Sequence, residues 1–432
     1  MTTRESGEGV RAVALAPRGV RGSVRVPPSK SLTQRALLAA ALAGGGSRVR
    51  SPLDAEDPRL LFVALRRVGF RLAWEAGAIV AGGRDPVAHA ELFLGNNGTG
   101  SRFLLAQLAA LPGRWVLDGS GRLRQRPLAP LGEALARLGA RIEPARGAGS
   151  ALPLVVTGRP LAGGEVALDA SSSSQFVSAL LLLGAVLPQG LAVRLPAPPP
   201  SRPYLDRTAE VLPVFGARVA EDASGTTFAV RGGGLAAAEI TVEGDWSAAA
   251  FPLAAAAVAG GEVEVLGVRR ASRQGDAAVL EILGRAGCRL ASSPDGVVLA
   301  GPATGPLTAD LRDTPDLFPA LAVVVATAGG RLDGLQGLAA KESDRLAVMV
   351  RHLSTLGFEV ASGDGWLAAP GGRPRPARAP AALDPAADHR IAMALAVAGC
   401  AVPGVGVLDP GCVAKSWPGF WNAWEALTAE GA

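Results

Sequence analysis

An α/β protein of two domains, each built from three copies of one repeated unit, is what this 432-residue sequence predicts. Three observations carry that expectation. The length exceeds what one hydrophobic core usually serves. Six times along the chain a short polar turn runs into an alanine-rich apolar stretch, and landmarks in those turns (Lys30, Asn97, Ser173, Asp245, Asp316, Asp388) lie 67, 76, 72, 71 and 72 residues apart. Between them recur β-branched or alternating stretches and a second, more amphipathic helical pattern closed by glycine.

The six apolar helices are SKSLTQRALLAAALA from Ser29, NNGTGSRFLLAQLAAL from Asn96, SSSSQFVSALLLLGAVL from Ser171, GDWSAAAFPLAAAAVA from Gly244, TPDLFPALAVVVATA from Thr314 and ADHRIAMALAVAG from Ala387. Apolar all round, they belong in domain interiors with their polar turns at one end. Residues 24–26, 152–157, 239–243 and 262–266 read as strands, and half-exposed helices are expected near Leu131, Asp206, Asp276 and Glu342. Helix N-termini carry unpaired N–H groups and partial positive charge, so several of them facing one ligand would trap anions. Ser, Asn, Asp and Thr in these turns also serve as ordinary N-caps. Capping alone does not account for the accompanying Lys30, Arg35, Arg102 and Arg390.

Apolar residues make up 49% and charged residues 19%, which suits buried cores and excludes global disorder. The net charge of +5 is spread over scattered arginines with only 4% aromatics, so stacking platforms for nucleic acid are missing and small anionic ligands are favoured. The N-terminal stretch has no contiguous apolar region of a secretory signal, and the long uncharged apolar stretches, such as ALLLLGAVL, are too short to cross a bilayer. Three cysteines without CxxC spacing predict a reduced cytoplasmic protein with no disulfide framework and no zinc site. Cys288 and Cys400 read as core fillers, and His89 and His352, lacking partner ligands at metal spacing, as surface residues.

Only three of the 43 basic residues are lysine: Lys30 in PPSKSLTQR, Lys341 in AAKESDR and Lys415 in GCVAKSWP. A lysine is a compact, rotatable point charge that can change protonation, whereas arginine is a planar fork that stays charged. Where nearly every other cation is arginine, these are positions at which arginine would not do. Lys30, Ser31 and Arg35 open the first apolar helix, Ser31 and Arg35 one turn apart on one face, a spacing able to grip a phosphate or carboxylate. LGNNGTGSR combines Asn96, Thr99 and Arg102 with glycines that admit close backbone approach to a ligand, without the GK[ST] of a P-loop. GRLRQRP places Arg122, Arg124 and Arg126 on alternate positions, which predicts an extended segment with all three to one side. Arg126, fixed before Pro127, is the ligand contact expected there. AKESDRL sets Glu342 between Lys341 and Arg345, cations that would keep the acid ionised and able to accept a proton.

The combination PSKSxxxR, GNxGTxxR, QRP, SSSSQF, SRPY, KESDR, DHR and AKS resembles the EPSP synthase (3-phosphoshikimate 1-carboxyvinyltransferase) family across nearly the whole length. That resemblance implies a two-domain inverted α/β barrel of the EPT/RTPC type, with six βαβαββ repeats, three per domain. It implies one discontinuous domain of residues 1–27 plus 244–432 and an inserted domain of 28–243, with the active site in the cleft between them. The implied reaction transfers the carboxyvinyl group of phosphoenolpyruvate to the 5-hydroxyl of shikimate 3-phosphate by addition and elimination, with no metal or organic cofactor. Both substrates carry roughly −2.5 to −3 charges near neutral pH, hence the many cations.

Carried over motif by motif, the resemblance assigns Lys30, Ser31, Arg35, Ser173, Ser174, Gln175, Ser201, Tyr204, Asp316 and Lys341 to shikimate 3-phosphate. It assigns Lys30, Gly98, Arg126, Gln175, Arg345, Arg390 and Lys415 to phosphoenolpyruvate. Asp316 is implied as the base for the hydroxyl, Glu342 as the partner of the methylene carbon and Lys30 as the donor near the bridging oxygen. A cytoplasmic monomer without nucleic-acid or membrane partners goes with it. The sequence departs from the family at Ala339 and Ala340, where an Arg-Val pair is common, at Gly337 in place of a substrate-contacting Asn, and at Asn97 in place of Ala. A related carboxyvinyltransferase acting on UDP-N-acetylglucosamine has Asn after the first lysine and a reactive cysteine in the first half of the chain. Here Ser31 follows Lys30 and no cysteine precedes Cys288. An RNA-end-binding, cyclase-like protein of similar repeats is the other alternative, supported by net charge alone.

Overall fold

Each of the six polar turns starts a helix in the structure, a computed structural model describing residues 9–145, 149–374 and 381–429. The core helices span Lys30–Leu42, Gly98–Ala110, Gln175–Gly184, Trp246–Ala259, Phe318–Ala328 and His389–Gly399. Four begin at a side-chain cap: Ser29 accepts from the Leu32 amide, Asn97 from Gly100, Asp245 from Ser247 and Asp388 from Arg390. The third begins after Ser174, with Ser173 Oγ accepting from the Gln175 amide at 3.2 Å. The fifth follows a short 3-10 turn, Pro315–Leu317. Residues Phe176 to Gly184 of the third helix are all buried, as the absence of a polar face requires.

The half-exposed helices are Glu56–Arg67, Ala129–Arg137, Arg202–Val214, Val279–Arg285 and Arg345–Thr355. The last four are followed by Gly139, Gly216, Gly287 and Gly357, all with positive φ, the conformation that ends a helix at little cost only for glycine.

Strands between the helices repeat one pairing scheme. In the second repeat His89–Phe93 runs parallel to Gly113–Asp118, which pairs antiparallel with Leu154–Gly158, itself antiparallel to Arg141–Pro144. Residues of His89–Phe93 alternate exposed and buried, so one face of the sheet meets the core helices. The same four-strand order occurs in five sheets, and a sixth joins Ala381–Leu383, Val405–Val407 and Arg11–Ala12. Strand, core helix, strand, outer helix and hairpin make five of the repeats βαβαββ units, the first strand of the first and fourth being supplied from a distant part of the chain.

The chain divides into two compact units, residues 1–27 with 244–432, and residues 28–243. Each has its own hydrophobic cluster, and in the first unit its three core helices pack on one another. Strand Val20–Arg25 pairs with Gly261–Leu266 in the first unit but leads the chain into the Lys30–Leu42 helix of the second. Conversely, Glu239–Thr241 pairs with Ser47–Arg50 and then leads into the Trp246–Ala259 helix of the first unit. Among the described residues no helix is long and apolar enough to cross a membrane.

Candidate functional site

In the 28–243 unit the charged residues gather at the starts of the core helices. Lys30 Nζ lies 3.0 Å from Asp57 Oδ2, with Asp57 in the first turn of the Glu56–Arg67 helix. Arg35, one helical turn beyond Ser31, donates through Nη1 to Ser31 Oγ at 2.6 Å and to the Ser31 carbonyl at 3.0 Å. Its Nε reaches Thr208 Oγ1 at 2.8 Å and its Nη2 the Tyr204 carbonyl at 2.7 Å, joining the first core helix to Arg202–Val214. Burial, with Arg207 adding to it, pushes Arg35 down to about 9 against the opposing influence of Tyr204, so the guanidinium stays charged at neutral pH. The hydrogen bonds of this buried cation run to neutral hydroxyl and carbonyl oxygens.

Gly98 and Arg126 are in direct contact. A Cβ built at Gly98 would lie 2.4 Å from Arg126 Cζ and 2.5 Å from its Nη1, so the guanidinium occupies the space that a side chain at 98 would need. Arg126 is not in an extended run with Arg122 and Arg124. Gly121–Gln125 is helical, Ser120 capping it by accepting from Leu123, and Arg124 pairs with Asp118 while Arg126 follows the helix and is buried. The Ser cap and local helical hydrogen bonds outweigh the alternating pattern. Arg102, also buried, gives Nη1 to Gln175 Oε1 at 2.6 Å and Nη2 to the Pro127 carbonyl at 3.1 Å, orienting Gln175 beside that segment. Ser174 Oγ donates to the carbonyl of Ser201, whose φ of 57° places it in the left-handed region at the start of the helix carrying Tyr204.

The other unit gathers Asp316, Lys341, Glu342, Arg345 and Arg390 into one network. Arg345 Nη1 lies 2.7 Å from Asp316 Oδ1, Nη2 2.8 Å from Glu342 Oε2, and Nε 2.8 Å from Asp388 Oδ2. Arg390 Nη2 lies 3.0 Å from Asp316 Oδ2, and Lys341 Nζ 4.0 Å from Asp316 Oδ1. Burial alone would raise the Asp316 carboxyl, but Arg390, Lys341 and Arg345 overcome this and hold it well below the usual carboxylate range. For Arg345 burial opposes the charge, and Asp388, Glu342 and Asp316 together keep the guanidinium firmly protonated. Lys341 and Glu342 precede the Arg345–Thr355 helix instead of lying within it, and Asp344 caps that helix. Lys415 ends the short Pro410–Lys415 turn, buried against the sixth core helix.

Three residues of these networks were not among the expected ligands: Asp57, Arg102 and Asp388. Asp388 accepts from Ser343 Oγ, Arg345 and the Arg390 amide, so one carboxylate orients two of the cations. Asp276 receives a hydrogen bond from Ser247 Oγ, and burial together with Asp316 pushes its carboxyl up to about 7 despite Ser247 and Arg390. His352 is buried, not a surface residue, its Nε2 2.8 Å from the Asp384 carbonyl, whereas His89 is exposed. Among the described residues no cluster of His, Cys, Asp and Glu is arranged to hold a metal ion.

The sequence profile of "EPSP synthase (3-phosphoshikimate 1-carboxyvinyltransferase)" matches residues 16–424. The 3-phosphoshikimate 1-carboxyvinyltransferase of Syntrophobacter fumaroxidans is 38% identical over 415 residues, 95% of this chain and 97% of that protein. That of Methanoculleus marisnigri is 40% identical over 414 residues, covering 94% and 96%. Among solved structures, EPSP synthase from Acinetobacter baumannii superposes with a TM-score of 0.77 at 27% identity over 97% of this chain and 98% of that one. The enolpyruvyl transferase NikO from Streptomyces tendae superposes with a TM-score of 0.74 at 21% identity over 97% of both chains, a likeness of fold. By the extent of these matches, the chain belongs to the EPSP synthase (3-phosphoshikimate 1-carboxyvinyltransferase) family.

Proposed function

We propose that this chain transfers the carboxyvinyl group of phosphoenolpyruvate to the 5-hydroxyl of shikimate 3-phosphate, releasing phosphate, as a step of aromatic amino-acid biosynthesis. The observation that carries the reading is Asp316, a buried carboxylate held ionised by Arg345, Arg390 and Lys341 in a chain that matches the family almost end to end. Lys30, Ser31, Arg35, Ser173, Ser174, Gln175, Ser201, Tyr204, Asp316 and Lys341 hold shikimate 3-phosphate in this proposal. Lys30, Gly98, Arg126, Gln175, Arg345, Arg390 and Lys415 hold phosphoenolpyruvate.

In the addition step the 5-oxygen bonds to C2 of phosphoenolpyruvate and its proton passes to Asp316, while Glu342, an ionised carboxylate at rest, takes up a proton from solvent and delivers it to the methylene carbon. In the elimination Glu342 takes a proton back from the resulting methyl group and returns it to solvent, the C2–O bond to phosphate breaks, Lys30 protonates the departing oxygen, and loss of the proton held by Asp316 with reprotonation of Lys30 closes the cycle. Asp316 among three cations is a weak base before substrate binds. Anionic substrates that engage Arg345, Arg390 and Lys341 weaken their hold on Asp316 and raise its basicity, so substrate binding prepares the base. Fixed cations around the tetrahedral intermediate stabilise its charge without reorganisation.

The UDP-N-acetylglucosamine alternative uses a reactive cysteine, and the thiols here are unsuited to that work. Burial pushes Cys288 up to about 11 and Cys400 up to about 12, and burial with Asp409 raises Cys412 further. The discriminating experiment supplies purified protein with phosphoenolpyruvate and either shikimate 3-phosphate or UDP-N-acetylglucosamine and measures phosphate release. Release with shikimate 3-phosphate alone is expected, and release with neither sinks the proposal. A cytoplasmic monomer accompanies this reading, and sedimentation at twice the chain's mass would remove its second half.

A further inference from the structure

A line of contacts inside the 28–243 unit joins Lys30 to Gly100. The Asp57 carboxylate lies 3.0 Å from Lys30 Nζ, and the Asp57 backbone carbonyl accepts from Asn97 Nδ2 at 2.7 Å. The other end of that amide, Asn97 Oδ1, accepts from the Gly100 amide at 2.8 Å. One side chain thereby fastens the Glu56–Arg67 helix to the start of the second core helix. Asn97 is 0% exposed and Asp57 2%, so water does not compete for these bonds. The fit depends on glycine at 100, where a Cβ would lie 2.6 Å from Asn97 Nδ2 and 2.9 Å from its Cγ.

We infer that Asp57 and Asn97 are positioning residues for the transfer reaction: Asp57 holds the Lys30 ammonium in place, and Asn97 fixes the Gly98 turn relative to it. The inference rests on the roles proposed above for Lys30 and Gly98. A lysine stem has many rotamers, and a buried charge-assisted bond selects among them. Lys30 and Gly98 come from successive repeats, whose helices pack on one another through apolar side chains that leave the polar ends to be set locally. Asp57 sets them with its two ends, the carboxylate toward one repeat and the carbonyl toward the other. The Asn97 amide and the missing side chain at Gly100 are then one coupled feature of this sequence.

Asp57→Asn keeps the shape and the backbone carbonyl while removing the charge. It is expected to lower kcat about 10- to 100-fold and, because Lys30 loses its buried partner, to lower the thermal midpoint as well. In a Lys30→Met background, read at high enzyme concentration, the same substitution adds no further loss. A lowered midpoint with unchanged kcat would make Asp57 merely structural and overturn the inference, as would additive losses with Lys30→Met. Should Lys30→Met itself retain wild-type kcat, the assignment of Lys30 fails and the inference falls with it. Loss in Lys30→Met beside wild-type kinetics in Asp57→Asn removes the inference alone. If Asp57→Asn does not fold, a second pair decides. Asn97→Ala and Gly100→Ala each raise KM for phosphoenolpyruvate about 10-fold, and the double variant is no worse than Asn97→Ala. Additive effects at 97 and 100 overturn the coupling.

Discussion

Arg35 of the 28–243 unit and Arg345 of the other unit are equally buried, 1% and 0% exposed, yet their surroundings differ in kind. Arg35 donates to hydroxyls and backbone carbonyls, and its charge is disfavoured where it sits. Arg345 is gripped by Asp316, Glu342 and Asp388, and its charge is reinforced. In the proposed function both meet an anionic substrate, but Arg35 does so without a carboxylate among the hydrogen-bond partners given above, whereas Arg345 is already tied to three. A binding group benefits from being left electrically incomplete, because the ligand then supplies what the protein withholds. A group that organises proton-transfer carboxylates must be complete before the substrate arrives.

Substitutions at the two positions should therefore separate stability from binding. Arg345→Met leaves three buried carboxylates without their shared partner and is expected to cost about 3–5 kcal/mol in urea unfolding, with phosphate release abolished. A loss under about 1 kcal/mol would mean that those carboxylates do not depend on Arg345. Arg35→Met should weaken shikimate 3-phosphate binding, by calorimetry, about 100-fold or more, while costing only about 1 kcal/mol of stability. Equal stability losses at the two positions would erase the distinction drawn here.

A smaller effect is expected at Gly98, where an added methyl overlaps the Arg126 guanidinium. Gly98→Ala should raise KM for phosphoenolpyruvate about 10-fold, leaving shikimate 3-phosphate affinity and the unfolding midpoint almost unchanged. An unaltered KM would show that Arg126 moves aside without consequence. The smallest effect concerns Asp276, raised to about 7 from an ordinary 3.8. The native state binds this proton more tightly than the unfolded chain does. Its contribution is thus full below about pH 4 and lost as pH rises through about 7. Asp276→Asn should melt with the wild type at low pH and a few degrees above it at pH 8.5, roughly 2–4 °C per kcal/mol recovered. Coincident melting curves at both pH values would show that Asp276 carries no such burden.

The core helices were legible because their signal is local: a capping residue and then a run with no polar face, as at Ser29 or Asp388. The charged turns were legible for the same reason, since KESDR and DHR hold their chemistry within a few residues. Asp57 was not, because its partners lie 27 and 40 residues away in sequence and its own surroundings look like the first turn of any amphipathic helix. Arg122, Arg124 and Arg126 misled because a period of two is weak evidence over five residues beside a serine cap. His352 could have been read correctly. It follows Arg345, Val348 and Met349 on the buried side of its helix, at the spacing of a core-facing stripe, and lack of metal partners said nothing about exposure.

The exchange of strands between the two units also sets a timetable for synthesis. Val20–Arg25 leaves the ribosome early, but its partner Gly261–Leu266 is made only after the whole of 28–243 has followed. At about 5–20 residues per second that is a wait of roughly 10–50 s. The inserted unit is contiguous and can close its core within that time, whereas the early strand, with Val20 and Val24 destined for burial, remains an open edge. Arg11–Ala12, whose partner Val405–Val407 is made later still, waits longer, and neither of these early strands contributes a proposed ligand.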